Sequence, residues 1–373
     1  MRQQAPSPSA YAGEGFLFVG CQSTKSKGGR GMRQFKSVLM AFALVLVLAL
    51  PTLAAADLQA AVAWLREQVQ ADGGVSDGFS EGSSVGATVD VVLAAAAVGE
   101  DVSTWATPSP LDFLATQAST AAGTGTLAKL TLAAVATGQD PTNFGGVDLV
   151  AGINAAYDAA TGRFDGLVID HAFAMLALKN AGVAIPDGAA RALIDLQAED
   201  GGWSFDGASQ SDTNTTALAI QALVAADAGD AAIVKALGFL KTQQNEDGGF
   251  PYQKPSAYGT DTDANSTAWV IQALTATGDI AVPSPEEALA ALQTESGAFQ
   301  WQAAVPGENL LATAQAVFAL AGYSYVQVPV VEAARPPAVP TLLAETGAPA
   351  TTWLWLALVG VVLLSGGLVL KRA

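Results

Sequence analysis

The sequence predicts an all-α fold in which six helical hairpins close into a ring between about Leu58 and Gly322. Three observations lead there. A short motif recurs along the middle of the chain at the spacing of one hairpin. Each recurrence is followed by a helix that is apolar on every face. The first and last units are as apolar as those between them, whereas an open solenoid needs polar capping repeats at its two ends.

The motif is clearest as Gln197-Ala-Glu-Asp-Gly-Gly-Trp203 and Gln244-Asn-Glu-Asp-Gly-Gly-Phe250, and weaker as Gln293-Thr-Glu-Ser-Gly-Ala-Phe299. Gln70-Ala-Asp-Gly-Gly74 and Asp158-Ala-Ala-Thr-Gly-Arg-Phe164 are earlier copies, and the copy near Gln117 is eroded. Each ends an amphipathic run such as Ala189 to Leu196 or Ala231 to Leu240, with apolar residues three and four apart. The glycines allow the chain to turn where the helix stops, and the aromatic after them can pack back on the hairpin. A second helix then starts on N-cap residues: Asp212-Thr-Asn-Thr-Thr-Ala217 parallels Asp263-Ala-Asn-Ser-Thr-Ala268. Its apolar residues occupy every face, as in a helix covered on both sides. These second helices exit at Gly99, Gly138, Gly182, near Gly229, Gly278 and Gly322, which counts six pairs within a domain spanning 57–327. A Pro-rich stalk over 328–342 follows.

The two ends read as targeting segments. From Met32 a basic start, an apolar run from Ser37 to Leu50 and an Ala-rich exit give a signal peptide over 32–56. Residues 1–31 would then be an upstream extension that is not native, with the effective start at Met32. A lipoprotein signal ending at Cys21 is the rival, but only Phe16 to Val19 supply its apolar run. At the other end, Thr351 to Leu370 is uncharged, contains Trp353 and Trp355, and stops at Lys371-Arg372-Ala373, the pattern of a single transmembrane helix. Leu343-Ala344-Glu345-Thr346-Gly347 stands before it. Pentapeptide, apolar helix and basic tail over 343–373 together resemble a sortase cell-wall sorting signal. That resemblance implies cleavage between Thr346 and Gly347 by a sortase-like transpeptidase and display at the cell surface; a plain single-pass membrane anchor is the alternative.

Composition narrows the chemistry. Between Asp57 and Gly347, 33 Asp or Glu stand against 9 Lys or Arg, which argues against nucleic acid as a partner. Cys21 is the one cysteine and lies in the leader, so the exported domain has no disulfide and must be held by packing.

The Gln-x-x-x-Gly-x-aromatic motif, the Thr-Ala inner helices and the count of six resemble the (α/α)6 toroid of squalene and terpenoid cyclases and of protein prenyltransferase β subunits. Complement-type thioester domains and the helical domain of cobalamin carriers share it. The cyclase resemblance implies a proton-donating Asp at the middle of an Asp-x-Asp-Asp-Thr-Ala motif, but the matching positions here are Asn214 and Asn265, amides that cannot act as general acids. The prenyltransferase resemblance implies zinc on Asp, Cys and His, yet His171 is the one histidine and no cysteine remains, so no metal site is expected. What remains is binding. Six parallel inner helices bring their N-termini to one rim carrying Asp170, His171, Asp212, Asn214, Asp263, Asn265 and Glu308, with Trp203, Tyr258 and Trp301 on adjoining loops. Acids, amides and aromatics suit a small polar ligand such as a sugar, a peptide or a corrinoid; equally, each has structural work as a cap or as packing. The reading is a surface-displayed module that binds without catalysis, with no required cofactor; a degenerate cyclase-like enzyme and a structural spacer are the alternatives.

Overall fold

The computed structural model describes residues 55–331, Tyr258 apart. The leader up to Ala54, the sorting pentapeptide, the apolar segment 351–370 and Tyr258 therefore lie outside the described residues, as does the stalk from residue 332. Among the described residues, no helix is long and apolar enough to cross a membrane.

Among the described residues, twelve α-helices alternate between amphipathic and apolar ones. The pairs are α1 (Leu58–Glu67) with α2 (Val85–Ala97), α3 (Pro110–Ala118) with α4 (Thr124–Ala136), and α5 (Leu149–Ala155) with α6 (Val168–Asn180). Then come α7 (Asp187–Asp195) with α8 (Thr213–Ala225), α9 (Asp230–Gln243) with α10 (Ala264–Thr277), and α11 (Pro285–Ala290) with α12 (Leu310–Leu320). The even-numbered helices pack side by side in the order α2, α4, α6, α8, α10, α12, and α12 packs back on α2, so the ring is closed. The amphipathic helices stand outside it. α7 buries only Ala189, Ala192 and Leu193, whereas α8 buries all but Asn214 and Val224 of its residues. Two small antiparallel ribbons complete the loops: β1 (Tyr157–Asp158) with β2 (Arg163–Phe164), and β3 (Gln300–Gln302) with β4 (Val305–Glu308).

In the three clearest copies the motif glutamine turns out to be the tie between neighbouring hairpins. Gln197 Nε2 donates to Gly201 O within its own turn and to Ala232 O at the start of the next outer helix, both at 2.8 Å. Gln244 does the same with Gly248 O at 2.9 Å and Pro283 O at 2.8 Å. Gln293 donates to Gly297 O at 2.9 Å and to Asp57 O at 2.8 Å, and its Oε1 accepts from Asp57 N at 2.8 Å. The last motif thus treats α1 as its next outer helix, which is how a linear repeat becomes a ring. Glycine is required beside each tie. Gly201, Gly248 and Gly297 have φ of +91°, +95° and +92°, and a Cβ there would stand 2.6 Å from backbone of the next outer helix. We expect Gln293→Ala to lower stability by about 1–2 kcal/mol and to cost α1 its amide-exchange protection ahead of the other outer helices. Equal loss across all outer helices would show that the seam is no weaker than the rest of the ring.

The fourth residue of most inner helices caps the motif turn from within. Thr88, Thr216, Thr267 and Thr313 accept through Oγ1 from the N–H groups of Val75, Trp203, Phe250 and Phe299 at 2.8–3.1 Å. In α6 this place is taken by His171, whose Nδ1 accepts from Phe164 N at 3.1 Å.

The chain does not leave the ring at residue 327, where composition places the start of a stalk. Residues 323–331 form a strap against the C-terminal ends of the inner helices. Tyr325 N donates to Gln221 Oε1 at 2.8 Å and Tyr325 O accepts from Asn180 Nδ2 at 2.8 Å. Val328, buried, donates from its N–H to Asn180 Oδ1 at 2.9 Å, and Val331 N to Ala136 O at 2.9 Å. Proline and valine composition resembles a linker, but these backbone bonds and the buried Tyr325 ring make the segment part of the core.

Candidate functional site

One register of the inner helices points into the lumen. Their sixth residues are Asp90, Lys129, Phe173, Leu218, Trp269 and Gln315. Phe173 on α6 meets Trp269 on α10 with ring centroids 5.9 Å apart and planes at 77°. These helices are separated in the ring by α8, so this contact is made across the lumen. A polar chain runs round the opposite side. Asn265 Nδ2 and Trp269 Nε1 both donate to Gln315 Oε1, at 2.9 and 3.0 Å. Gln315 Nε2 donates to Asp90 Oδ2 at 2.9 Å, and Lys129 Nζ stands 4.0 Å from Asp90 Oδ1 and 5.3 Å from the centroid of Phe173.

The lumen is divided into an open and a filled half. Toward the N-terminal ends of the inner helices lies a cavity of about 320 Å³, walled by the first turns of α2, α4 and α6 with Lys129, Phe173 and Trp269 beneath. Gly86 and Gly125, at the second position of α2 and α4, are among its walls. Toward the other end the Tyr325 ring fills the axis, 5.3 Å from Phe173, 5.8 Å from Trp269 and 5.3 Å from Phe318.

The residues expected to form a binding rim divide accordingly. Asp170 lines the cavity, and Asn265 reaches the lumen through Gln315. Asn214 is half-buried at the matching place on α8 and does not line the cavity. Asp212 and Asp263 are turned into their own helix starts, accepting from Thr215 N and Ser266 N at 2.7 Å each. Burial raises both carboxyl groups, Asp263 to about 6, against those capping bonds. His171 is not a rim residue. It is fully buried, with Nδ1 accepting from Phe164 N and Nε2 donating to Ala189 O at 3.0 Å, and burial lowers its pKa, so it is a neutral structural imidazole. Trp203 is buried too, and its Nε1 donates to Leu193 O at 2.8 Å, so it packs a hairpin. Trp301 and Glu308 are on the β3–β4 ribbon and neither lines the cavity. Missed by the sequence reading were Asp90, Lys129, Phe173, Trp269, Gln315 and Tyr325. Five of these share one register, visible once the inner helices are aligned on their first residues; Tyr325 carried no such signal.

A ring of six helical hairpins whose inner helices line a lumen is an α/α toroid. The chain belongs to the prenyltransferase alpha-alpha toroid domain family, which matches residues 18–131 and 169–330. Among solved structures it is similar to the unliganded type II terpene cyclase MstE from Scytonema, at 15% identity and a TM-score of 0.53, over 71% of this chain and 96% of that one. MstE carrying geranylgeranyl dihydroxybenzoate, its substrate, is similar to the same degree, with 95% of that chain covered. A protein from Actinoplanes matches at 14% identity and a TM-score of 0.53, over 71% of this chain and 98% of that one. At such identities the likeness is one of fold. No curated protein matches the chain.

Proposed function

We propose that this chain is a surface-displayed toroid that binds a small polar ligand at the mouth of its lumen and does not transform it. The observation that carries this reading is Asn265. It stands where the cyclase resemblance requires a proton donor, and it spends its N–H on Gln315 Oε1 at 2.9 Å. An amide has no proton to give in general acid catalysis. The nearest titratable substitute, Asp263, holds its proton up to about 6 but is buried in the cap of α10, with Oδ1 on Ser266 N and Oδ2 on Ser266 Oγ. The signal peptide at 32–56, the pentapeptide Leu343–Gly347 and the apolar segment 351–370 support export, a single membrane anchor and a sortase-like partner.

A second reading, a degenerate terpenoid cyclase, is favoured by the aromatic lumen of Phe173, Trp269, Phe318 and Tyr325, since aromatic faces stabilise cations, and by the likeness to MstE. The Lys129 side chain, 5.3 Å from the Phe173 ring in that same lumen, opposes it. The full-length protein incubated with squalene and with shorter polyprenyl substrates should yield no cyclised product by gas chromatography and mass spectrometry, and Asn265→Asp should yield none either. Turnover by the unmodified protein would replace the binding reading with the enzymatic one. A structural spacer is what would be left if neither binding nor turnover were found.

A further inference from the structure

We propose that the lumen mouth selects a small amphoteric molecule of amino-acid size, with an acceptor for Lys129, a donor for Asp170 and a flat apolar body against Phe173 and Trp269. This rests on the binding reading above and specifies its ligand.

Size comes first. The cavity of about 320 Å³ is at the lower end of the range for ligand pockets, which runs from roughly 300 to 1,000 Å³. Tyr325 and its strap occupy the axis below, so a long hydrocarbon has no room to extend downward.

Charge comes second. Lys129 is the single cation among the six sixth-position residues. Its ammonium is 4.0 Å from Asp90 Oδ1, beyond hydrogen-bond length, while Asp90 Oδ2 is occupied by Gln315. It also lies over the Phe173 face, which offers no lone pair. The Lys129 N–H groups are thus available to an acceptor in the cavity. On the wall, Asp170 Oδ2 accepts from Leu167 N at 2.9 Å, and Oδ1 sits over Gly125, where any Cβ would overlap it. The glycine at 125 is what lets this carboxylate stand at the cavity wall. A purely apolar ligand would strip water from both groups without replacing it; an anionic ligand would leave the Asp170 carboxylate unpaired, and a cationic one would leave Lys129 with only the Asp90 carboxylate at 4.0 Å. A molecule bearing both a donor and an anionic or carbonyl acceptor satisfies both.

A matched set of probes separates these cases: L-phenylalanine, phenethylamine, 3-phenylpropionate and farnesol, titrated into the full-length protein by calorimetry. Phenylalanine should bind at least tenfold more tightly than either singly charged analogue, and farnesol weakest. Lys129→Gln should bring phenylalanine down to the level of phenethylamine. Asp170→Asn, which keeps an acceptor for Leu167 N, should bring it down to the level of 3-phenylpropionate. Thermal melts of both variants establish that they remain folded. Binding of none of the four, equal binding of all four, preference for farnesol, or a phenylalanine affinity unchanged in Lys129→Gln each overturns the proposal. Binding that ignores charge would sink this inference and leave the binding reading intact, whereas turnover of a polyprenyl substrate would sink that reading instead.

Discussion

Tyr325→Ala should cost the domain about 4 kcal/mol, read as a shift in the midpoint of urea unfolding at an unchanged slope, because truncation of a buried aromatic costs about 3–5 kcal/mol. The reasons for expecting the full cost of such a truncation are specific. The residue is 3% exposed, and its ring meets three aromatics, one from each of three inner helices: Phe173, Phe318 and Trp269. Its backbone is held on both sides by Gln221 and Asn180, so the strap cannot slide inward to refill the space. The methyl of alanine would leave a void along the ring axis, and voids in a fixed frame are what make such truncations expensive. Tyr325→Phe is the control. Burial holds the phenol well above its ordinary pKa, so the hydroxyl is neutral at any working pH, and removing it should cost less than about 1 kcal/mol. A loss below about 1 kcal/mol for the alanine variant would mean that the strap is a surface trimming and that the six hairpins alone make the core.

The same strap shows where sequence reading stops. The hairpins were legible because their signals are local: N-cap residues three positions from the N–H they accept, glycines at the turn, apolar spacing on each helix. The ring was legible because the end repeats carried no polar caps. The strap is held by Asn180 and Gln221, 104 to 148 residues earlier in the chain, and in their own helices these are two amides among alanines and leucines. Nothing local distinguishes them. The candidate site was half legible for a related reason. Asp212 and Asp263 are N-caps and Asp170 stands in the first turn of α6, and the sequence does not separate a carboxylate enclosed in its own turn from one that also borders a cavity. That difference depends on the neighbouring helix: Asp170 faces Gly125, while Asp212 and Asp263 are enclosed by their loops. The lumen register of Lys129 and Gln315 could have been counted from the aligned helix starts. In a helix covered on both sides, though, the apolar pattern has no face to mark, so periodicity is silent there.

Asp263→Asn should be close to neutral at pH 4 and stabilise the domain relative to the parent by about 3 kcal/mol at pH 7, since each pKa unit is worth about 1.4 kcal/mol. Burial is the largest influence on this carboxyl and lifts it from 3.8 to about 6 in the folded protein. Between those values the native state keeps its proton while the unfolded chain has lost it, so the parent loses stability as pH rises from about 4 to 6. Asparagine does not titrate and can still cap α10, as Asn309 caps α12 by accepting from Ala312 N at 2.9 Å. The difference between the two proteins should therefore grow with pH and then level off above 7. Asp212, raised by the same cause, acts in the same direction and is unchanged in both proteins, so it cancels. His171 works with the opposite sign. Burial lowers its pKa, so its contribution is complete above the ordinary imidazole value near 6.5 and is lost as pH falls through the depressed one, when protonation of Nδ1 would remove the acceptor for Phe164 N. His171→Thr, which places at this register the residue found in α2, α8, α10 and α12, should flatten that acid limb without touching the one that belongs to Asp263. A difference between Asp263→Asn and parent that stays constant from pH 4 to 7 would mean that the Ser266 N–H and hydroxyl bonds outweigh desolvation, and that Asp263 is an ordinary ionised cap. Its folded pKa would then be no higher than the free value, which would also weaken Asp263 as a carboxyl acid that the cyclase-like reading could call on beside Asn265.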